Sequence, residues 1–382
     1  MTDIRFIQVH WLASYPSALL NRDDAGIAKR LPFGGVVRGR ISSQCLKRHW
    51  RFAGADSHES AKLHPHALQN LGLPMGERTK EVVERRIMPG AAKQVAAEPA
   101  RIEAVEQALI KRLYGPKAGD MKSRQALFFG EPEIAYLASQ CAEALRAEST
   151  EAAIKFIETF AKNQRDNLKQ MKLDAGLETA LFGRMVTSDP AANRDAAVHV
   201  AHALSVHALE RELDFMSVVD DLKDKTKGDD AGAAGVFDME LASGLYYGYV
   251  VVELPLLIDN LGGDREIAAR IVENLIHLIA TVSPGAKKGS TAPYAYAEFL
   301  LLEAGANQPR TLANAFRTAV PLVGDVLSTA LGSLRTHLEQ LDAAYGAQGN
   351  RRQVVVGTGK LPSVEAAPLA EVARWARAQV AA

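Results

Sequence analysis

Strand-like segments are unevenly spaced along this chain of 382 residues, and that spacing limits its fold more than any other feature. The first segment, "IRFIQVHWL" (4–12), places Ile7, Val9 and Trp11 on one face and less apolar residues on the other, as a sheet strand does. Comparable segments recur only much later, at 245–254, 294–304 and 352–357. A sheet built from them must accommodate a long insertion after its first strand.

Helical periodicity fills the rest of this order. Apolar residues recur at helical spacing over 264–282, and 361–380 closes the chain as another helix. Without the insertion, the pattern is a split βαβ unit of ferredoxin type, the layout of an RNA-recognition sheet, and the fold class is α+β. An ordinary α/β sheet remains an alternative. The insertion, residues 55–240, is mostly helical by pattern, with helices predicted over 99–115, 149–164 and 194–213.

Turn-forming residues make the stretch 13–39 irregular by prediction, since it contains "SYPSALLNRDD" and "LPFGG". Only two cysteines occur, Cys45 and Cys141, which argues against a disulfide framework and favours a reducing compartment. No apolar run approaches the ~18 residues that a spanning helix needs, and no signal-peptide core is present. We therefore expect a cytoplasmic protein that does not act at a membrane.

Positive charge is concentrated near the N-terminus, although 45 Lys and Arg balance 45 Asp and Glu overall. Residues 1–51 contain nine Lys and Arg against three Asp, a local charge of +6. Within "RISSQCLKRHWR" (40–51), Ser42 or Ser43 can cap a helix whose free N–H groups favour anions, while Lys47 and Arg51 share one face. These donors suit a phosphodiester backbone. A capped helix with a solvated basic face remains the alternative.

Three other groups of residues could carry chemistry. Asp23 and Asp24 could hold Mg²⁺, although capping of their own loop is the favoured interpretation. Two of the three histidines on the predicted helix 194–213, His199 and His202, are spaced to share a metal, but no carboxylate or cysteine stands at ligand spacing. Cys45 could be a nucleophile with His49 as its base, which we consider improbable. We expect no catalytic residue, no metal and no cofactor.

Several motifs together resemble a known family. "LNRDD" (20–24), "RISSQCLKR" (40–48), "ALFGRMVTSDP" (180–190), "LASGLYYGYVVVEL" (241–254) and "TVSPGAKKGSTAPYAYAEF" (281–299) are similar, in order, to blocks of the CasC-type backbone subunit of type I-E CRISPR Cascade. That subunit is a Cas seven family member among the RAMP proteins. The resemblance covers nearly the whole chain and is weakest over 55–175 and at the C-terminus.

The resemblance implies a hand-shaped subunit. Residues 1–54 and 241–382 correspond to an RRM-like palm, 55–209 to a helical finger insertion and 210–240 to a hairpin thumb. By motif match the guide RNA is held by Arg22, Lys29, Arg40, Ser42, Ser43, Gln44, Lys47, Arg48, Arg51, Met185, Phe215 and Met216.

The implied function is a non-catalytic scaffold for crRNA. Further copies of the chain, target DNA and the large, small, guide-end-capping and guide-processing Cascade subunits are the implied partners. Lys287 and Lys288 lie far in sequence from the guide-binding block, and we expect them in the groove that meets the target strand. A metal-dependent RAMP ribonuclease that uses a loop aspartate is the alternative function.

Overall fold

A large mixed sheet dominates the computed structural model, which describes residues 4–53, 64–163, 176–186, 193–218 and 235–381. Its strands are β1 (Phe6–Ala18), β2 (Arg30–Phe33), β3 (Val36–Ile41), β4 (Gly76–Thr79), β5 (Leu127–Gly130), β6 (Val198–Val200), β7 (Ala203–Ser205), β8 (Glu210–Val218), β9 (Gly235–Glu253), β10 (Phe299–Gly305), β11 (Asn350–Val355) and β12 (Glu365–Ala366). The α-helices are α1 (Ser43–Arg51), α2 (Met88–Ala92), α3 (Pro99–Tyr114), α4 (Glu131–Leu145), α5 (Thr150–Asn163), α6 (Leu177–Phe182), α7 (Leu254–Asn260), α8 (Arg265–Thr281), α9 (Lys288–Thr291), α10 (Val326–Tyr345) and α11 (Leu369–Ala381).

β1 lies at the centre of the sheet and pairs antiparallel with β10 on one side and β9 on the other. The main strand path runs β12-β11-β10-β1-β9-β7-β3-β2, and β6 and β8 also pair with β9. Six elements of the sheet and its packed helices occur along the chain in a β-α-β-β-α-β order, with other elements between them: β1, α1, β7, β9, α8 and β10. That order is compatible with the predicted ferredoxin-type unit.

Both faces of the sheet are covered. Ile7, Val9 and Trp11 face a core that α1, α8 and α11 share, as the alternation in the first segment predicts. The other face packs against α10 through Leu12 and its neighbours. The residues predicted on a less apolar face are buried there too: His10 is fully buried, with Nδ1 2.8 Å from the Tyr247 hydroxyl and Nε2 3.1 Å from Glu303.

The region between β4 and α5 has a hydrophobic core of its own. Helices α2 to α5 bury residues such as Ile87, Leu109 and Phe129 away from the large sheet. The predicted helices 99–115 and 149–164 are confirmed as α3 and α5. This region also contains the two-stranded β4–β5 sheet, which stands beside α1.

Two sequence-based expectations are wrong. The predicted helix over 194–213 is instead β6, β7 and the start of β8, because β-branched Val198 and Val200 pair with β9 and sheet pairing overrides the helix propensity of the surrounding alanines. The stretch 13–39 is more regular than expected, since β1 continues to Ala18 and β2 and β3 form a hairpin. Gly34 and Gly35 both have positive φ, 63° and 83°, as a tight hairpin turn requires.

β8 and the first part of β9 form an antiparallel pair whose register runs from Glu210 opposite Ser243 to Val218 opposite Gly235. This pair includes the described part of the predicted thumb, whose residues 219–234 lie outside the described ranges. Two strands from within the predicted finger range, β6 and β7, belong to the large sheet. The division into palm, fingers and thumb stays a prediction.

Candidate nucleic-acid interface

A cleft of about 1240 Å³ opens between α1 and the β4–β5 sheet. Stretches that are far apart in sequence form its wall: residues 20–22, α1, β4 with 125–128, and 182–185 with 193–196. Gly285 and Ala286 complete it. The fold thus brings the "LNRDD", "RISSQCLKR", "FGRM" and "PGAKKG" motifs to one site.

The wall of the cleft is strongly basic. Among the described residues, two carboxylates line it, those of Glu77 and Asp195, and Glu77 is already paired with Arg86. Against them stand seven cationic side chains, those of Arg22, Lys47, Arg48, Arg51, Arg78, Arg184 and Arg194. A concave surface lined by one sign of charge concentrates counter-ions, so this cleft attracts polyanions although the whole chain has no net charge.

Helix α1 presents its cations to the cleft because its opposite face is anchored. Leu46 and Trp50, one turn apart, are buried in the core under the sheet. Ser42 caps the helix, with its Oγ accepting a 3.3 Å hydrogen bond from Cys45 N–H. These are the cap and the two faces that the sequence predicts, and they leave Lys47 and Arg48 on the cleft side.

Asn21 joins two of the motifs and was missed by sequence reasoning. Its Oδ1 accepts a 2.9 Å hydrogen bond from Ser42 N–H, and its carbonyl accepts one of 2.8 Å from Lys29 N–H. The turn that carries Arg22 is therefore fixed against the start of α1. The sequence gives little indication of this role for Asn21, because its hydrogen-bond partner Ser42 lies 21 residues away.

Four cations of the cleft have no carboxylate partner within the described part of the chain: Arg22, Lys47, Arg48 and Arg78. Aromatic rings support three of them. Lys47 Nζ lies 5.5 Å from the centre of the Phe182 ring, and the guanidinium groups of Arg48 and Arg78 lie 5.1 and 5.8 Å from those of Phe52 and Phe128. Burial lowers the pKa of the Lys47 ammonium. An incoming anion would offset that cost of burial, so Lys47 is well suited to a phosphate.

Arg51, predicted beside Lys47, has a carboxylate partner. Its Nη2 lies 3.4 Å from Oε1 of Glu178, whose other oxygen accepts from Gly76 N–H at 2.5 Å. The guanidinium also stacks 4.5 Å from the Phe128 ring centre, and burial lowers its pKa although Glu178 opposes that shift. Arg51 therefore links α1 to β4, and its positive charge is largely compensated.

Met185 lies at the cleft with two-thirds of its surface exposed (66%). Its carbonyl accepts a 2.9 Å hydrogen bond from Gln125 Nε2, which fixes the backbone while the thioether remains free to contact a ligand. Arg184, the preceding residue, is buried and pairs with Glu133 at 2.7 Å. Of the residues that sequence reasoning missed, Phe182 and Arg184 already stood in the "FGRM" motif, whereas Arg78 and Phe128 had no recognisable signal.

Several predicted residues do not line the cleft. There are seven of these: Lys29, Arg40, Ser43, Phe215, Met216, Lys287 and Lys288. Neighbouring positions of β8 face opposite ways: Phe215 is 73% exposed, while Met216 packs on the cluster that includes Leu19 and Ala28, next to the Arg22 turn. Lys287 is exposed, Lys288 is half-buried, and both follow the cleft residues Gly285 and Ala286 directly.

The alternative chemistries find little support. Asp23 Oδ1 accepts hydrogen bonds from Ala25 and Ile27 N–H at 2.9 and 3.2 Å, so it caps its own turn. Burial raises the pKa of the Cys45 thiol to about 11. His49 Nδ1 donates to the Cys45 carbonyl at 2.8 Å, and Nε2 accepts from Gly285 N–H at 3.3 Å. Cys45 Sγ lies 3.7 Å from His49 Nδ1, but the shorter backbone contacts already engage both ring nitrogens, which disfavours His49 as a base for the thiol.

The histidine pair loses its premise, because His199 lies on β6 and His202 follows that strand, where its Nδ1 accepts from Ser43 N–H at 2.8 Å. No set of three potential metal ligands converges among the described residues. The same part of the chain contains no helix with the length and apolarity to cross a membrane.

Comparison with known proteins adds a family and a fold. A family model described as CT1975-like protein matches residues 7–376. A solved chain described as "CRISPR RNA-guided surveillance complex, pre-nicking" superposes with a TM-score of 0.76 at 23% identity, covering 98% of this chain and 100% of that one. A second, described as "CRISPR RNA-guided surveillance complex", gives 0.64 at 21% identity and covers 98% and 99%. At these identities the likeness shows a shared fold. Comparison with curated proteins gives no match.

Proposed function

The chain belongs to the CT1975-like protein family, and from that membership we propose that it is a crRNA-binding subunit of a CRISPR RNA-guided surveillance complex. The observation that carries this proposal is the basic cleft, where four motifs from distant parts of the sequence meet around cations, several of which have no carboxylate partner among the described residues. The shared fold with two chains from such complexes supports it.

The cleft is suited to reading an RNA backbone without reading its sequence. Lys47 and Arg48 supply charge, Ser42 and Gln44 supply neutral polar groups, and Met185 supplies an apolar contact. Phosphate contacts position a strand, whereas base-edge contacts specify it. In a guide complex the base edges stay free, so that target recognition is delegated to pairing.

We propose that several copies of the chain stack along one guide, with the RRM-like palm, helical fingers and hairpin thumb in their predicted roles. The β8–β9 pair supports the thumb assignment, because its inner face packs beside the Arg22 turn while Phe215 projects outward. The motif set favours a type I-E Cascade backbone subunit within this class, with the large, small, guide-end-capping and guide-processing subunits as further partners.

Lys287 and Lys288 are assigned to the target strand in this proposal. They adjoin the cleft through Ala286 but do not line it, which is the placement expected of a second strand's contacts. Reversing both charges to Glu in an assembled guide complex should weaken target DNA binding and leave guide occupancy near normal. Loss of guide RNA in the same proportion would show that the pair contacts the guide.

We also propose that the subunit does not cut RNA. The two hydrogen bonds at Asp23 Oδ1 support this proposal, since they engage one oxygen of the carboxylate on which the ribonuclease alternative depends in capping its own turn. The test is incubation of the RNA-loaded protein with Mg²⁺ and complementary RNA. Specific scission that is abolished by Asp23→Ala would establish the ribonuclease instead.

A further inference from the structure

The segment 283–295 forms a closed loop beside the cleft. At its neck the Ser283 hydroxyl donates to the Ala295 carbonyl at 2.7 Å and accepts from Ala295 N–H at 2.8 Å. Inside the loop, Lys287 and Ala292 adopt positive φ values of 51° and 39°, which residues other than glycine rarely do. The surrounding structure thus holds the loop in one conformation, and such positions concentrate at ligand-binding sites.

Two tyrosines leave this loop side by side, in a stretch where exposed residues alternate with partly or fully buried ones. Tyr294 and Tyr296 are 75% and 71% exposed, whereas Ala295 and Ala297 between and after them pack toward the core. Because side chains alternate along an extended chain, both rings project from the same side. Tyrosine rings with this much exposure, and with no ring contact among the described residues, are available to a ligand.

The spacing of the rings matches one planar base. The alternating burial of 294–297 matches extended chain, in which side chains two residues apart are attached about 6.6 to 7 Å apart. Bases stack about 3.4 Å apart along a strand. A gap of two such spacings accepts one flat base between the rings, or lets two successive bases stack on neighbouring rings.

We propose that Tyr294 and Tyr296 form a base-stacking site for single-stranded nucleic acid at the rim of the cleft. The site rests on the proposed function, because the strand that reaches it is one held by the surveillance complex. The faces of the two rings stack on bases of that strand. Because every base has a flat face, the site accepts any base. This combination of basic groove and aromatic platform is how single strands are bound without sequence preference.

A nucleic acid fits this surface better than another protein chain does. Residues 283–296 contain two lysines, Lys287 and Lys288, and no acidic residue. The loop is also continuous with the basic cleft, since Gly285 and Ala286 line that cleft directly. An anionic strand leaving the cleft along this loop therefore meets both positive charge and two exposed rings.

The test uses a reconstituted guide complex with a fluorescent base analogue, 2-aminopurine, placed at successive positions of the guide or of the target strand. Stacking on tyrosine quenches its emission. We expect quenched positions in one of the two strands, relief of quenching in the Tyr294→Ala/Tyr296→Ala variant, and retention in the matched Phe pair. Affinity for that strand should fall about 5- to 100-fold in the Ala variant. Tyr345→Ala, at a ring 79% exposed on α10, serves as the control.

The strand that carries the quenched positions identifies the ligand of the site. Unchanged quenching and affinity in the Ala variant, with normal guide occupancy, would refute the stacking site and leave the proposed function intact. A lower number of subunits per complex with unchanged quenching would also refute it, and would assign the two rings to a contact between protein chains. A wild-type complex that contains no RNA would overturn the proposed function itself and this site with it.

Discussion

Salt dependence offers a quantitative check on the basic cleft. The perturbation is the triple substitution Arg22→Ala, Lys47→Ala and Arg48→Ala, at three of the cleft cations that lack a carboxylate partner among the described residues. Each phosphate contact to a single strand contributes about 0.7 to the slope of log affinity against log salt concentration. Three contacts contribute about 2, so the wild type should lose roughly 20-fold more affinity than the variant between 50 and 200 mM salt.

The assay is fluorescence anisotropy of a labelled single-stranded RNA over that range of salt. The matched control is Arg335→Ala, a half-exposed arginine on α10, on the opposite face of the sheet from α1. Its slope should equal that of the wild type, and permuting the RNA sequence should change little. An unchanged slope in the triple variant would refute the assignment of these cations to phosphates.

Three other predictions concern single residues. Burial lowers the pKa of Lys47, so Lys47 should lose its charge, and the protein its RNA affinity, at a lower pH than an exposed lysine would. Lys47→Arg should keep RNA affinity constant to higher pH. Identical profiles of affinity against pH for the wild type and Lys47→Arg would contradict this. Arg51→Ala should lower the free energy of unfolding in urea by about 3 to 5 kcal/mol, since it leaves the Glu178 carboxylate buried without its ion partner. A decrease below about 1 kcal/mol would show that the pair contributes little. Burial and the stacked His66 ring, 3.6 Å away between centroids, hold the pKa of His277 at about 4. As pH falls below 6.5, His277 therefore becomes protonated in the unfolded chain before it does in the folded one. The free energy of unfolding should drop by about 2 kcal/mol between pH 8 and pH 5. His277→Gln should remove most of that drop, and an equal drop in the variant would refute the assignment.

The parts of the fold that sequence predicts best are those whose local pattern and tertiary partner agree. Apolar residues alternate along β1 and recur every 3.6 residues along α8, and in both elements these residues are buried in the same core. Ser42 caps α1 through a partner three residues away. Where the signal and its cause are both local, reading the sequence is sufficient.

The failures have a physical reason in common, which is that their decisive partner is remote. Residues 198–205 carry helix-forming alanines, yet β9 recruits them as strands from about 50 residues further along the chain. In the sequence, Arg51 has the features of an unpaired cation that binds phosphate. In the structure its partner is Glu178, 127 residues away. The predicted helix over 194–213 fails for that reason, and the remote Glu178 carboxylate likewise distinguishes Arg51 from Lys47.

The site itself was predictable as a set of motifs and unpredictable as a surface. Apart from Ser43, the residues that resemblance selected in α1 and "FGRM" do share one cleft, but the opposite wall comes from β4 and residues 125–128, in the part of the chain where the resemblance is weakest. Arg78 and Phe128 belong to that wall. Only the packing of the helical region against α1 brings them into the site.

The most direct test of the proposed function is the nucleic acid that the protein carries when it is purified from cells expressing a CRISPR array. The wild type should contain RNA of defined length, and the Lys47→Glu/Arg48→Glu variant should be folded, with an unchanged circular dichroism spectrum, and depleted of that RNA. Wild-type protein free of RNA, or a charge-reversed variant that retains the same RNA at the same occupancy, would contradict a guide-binding role for the cleft.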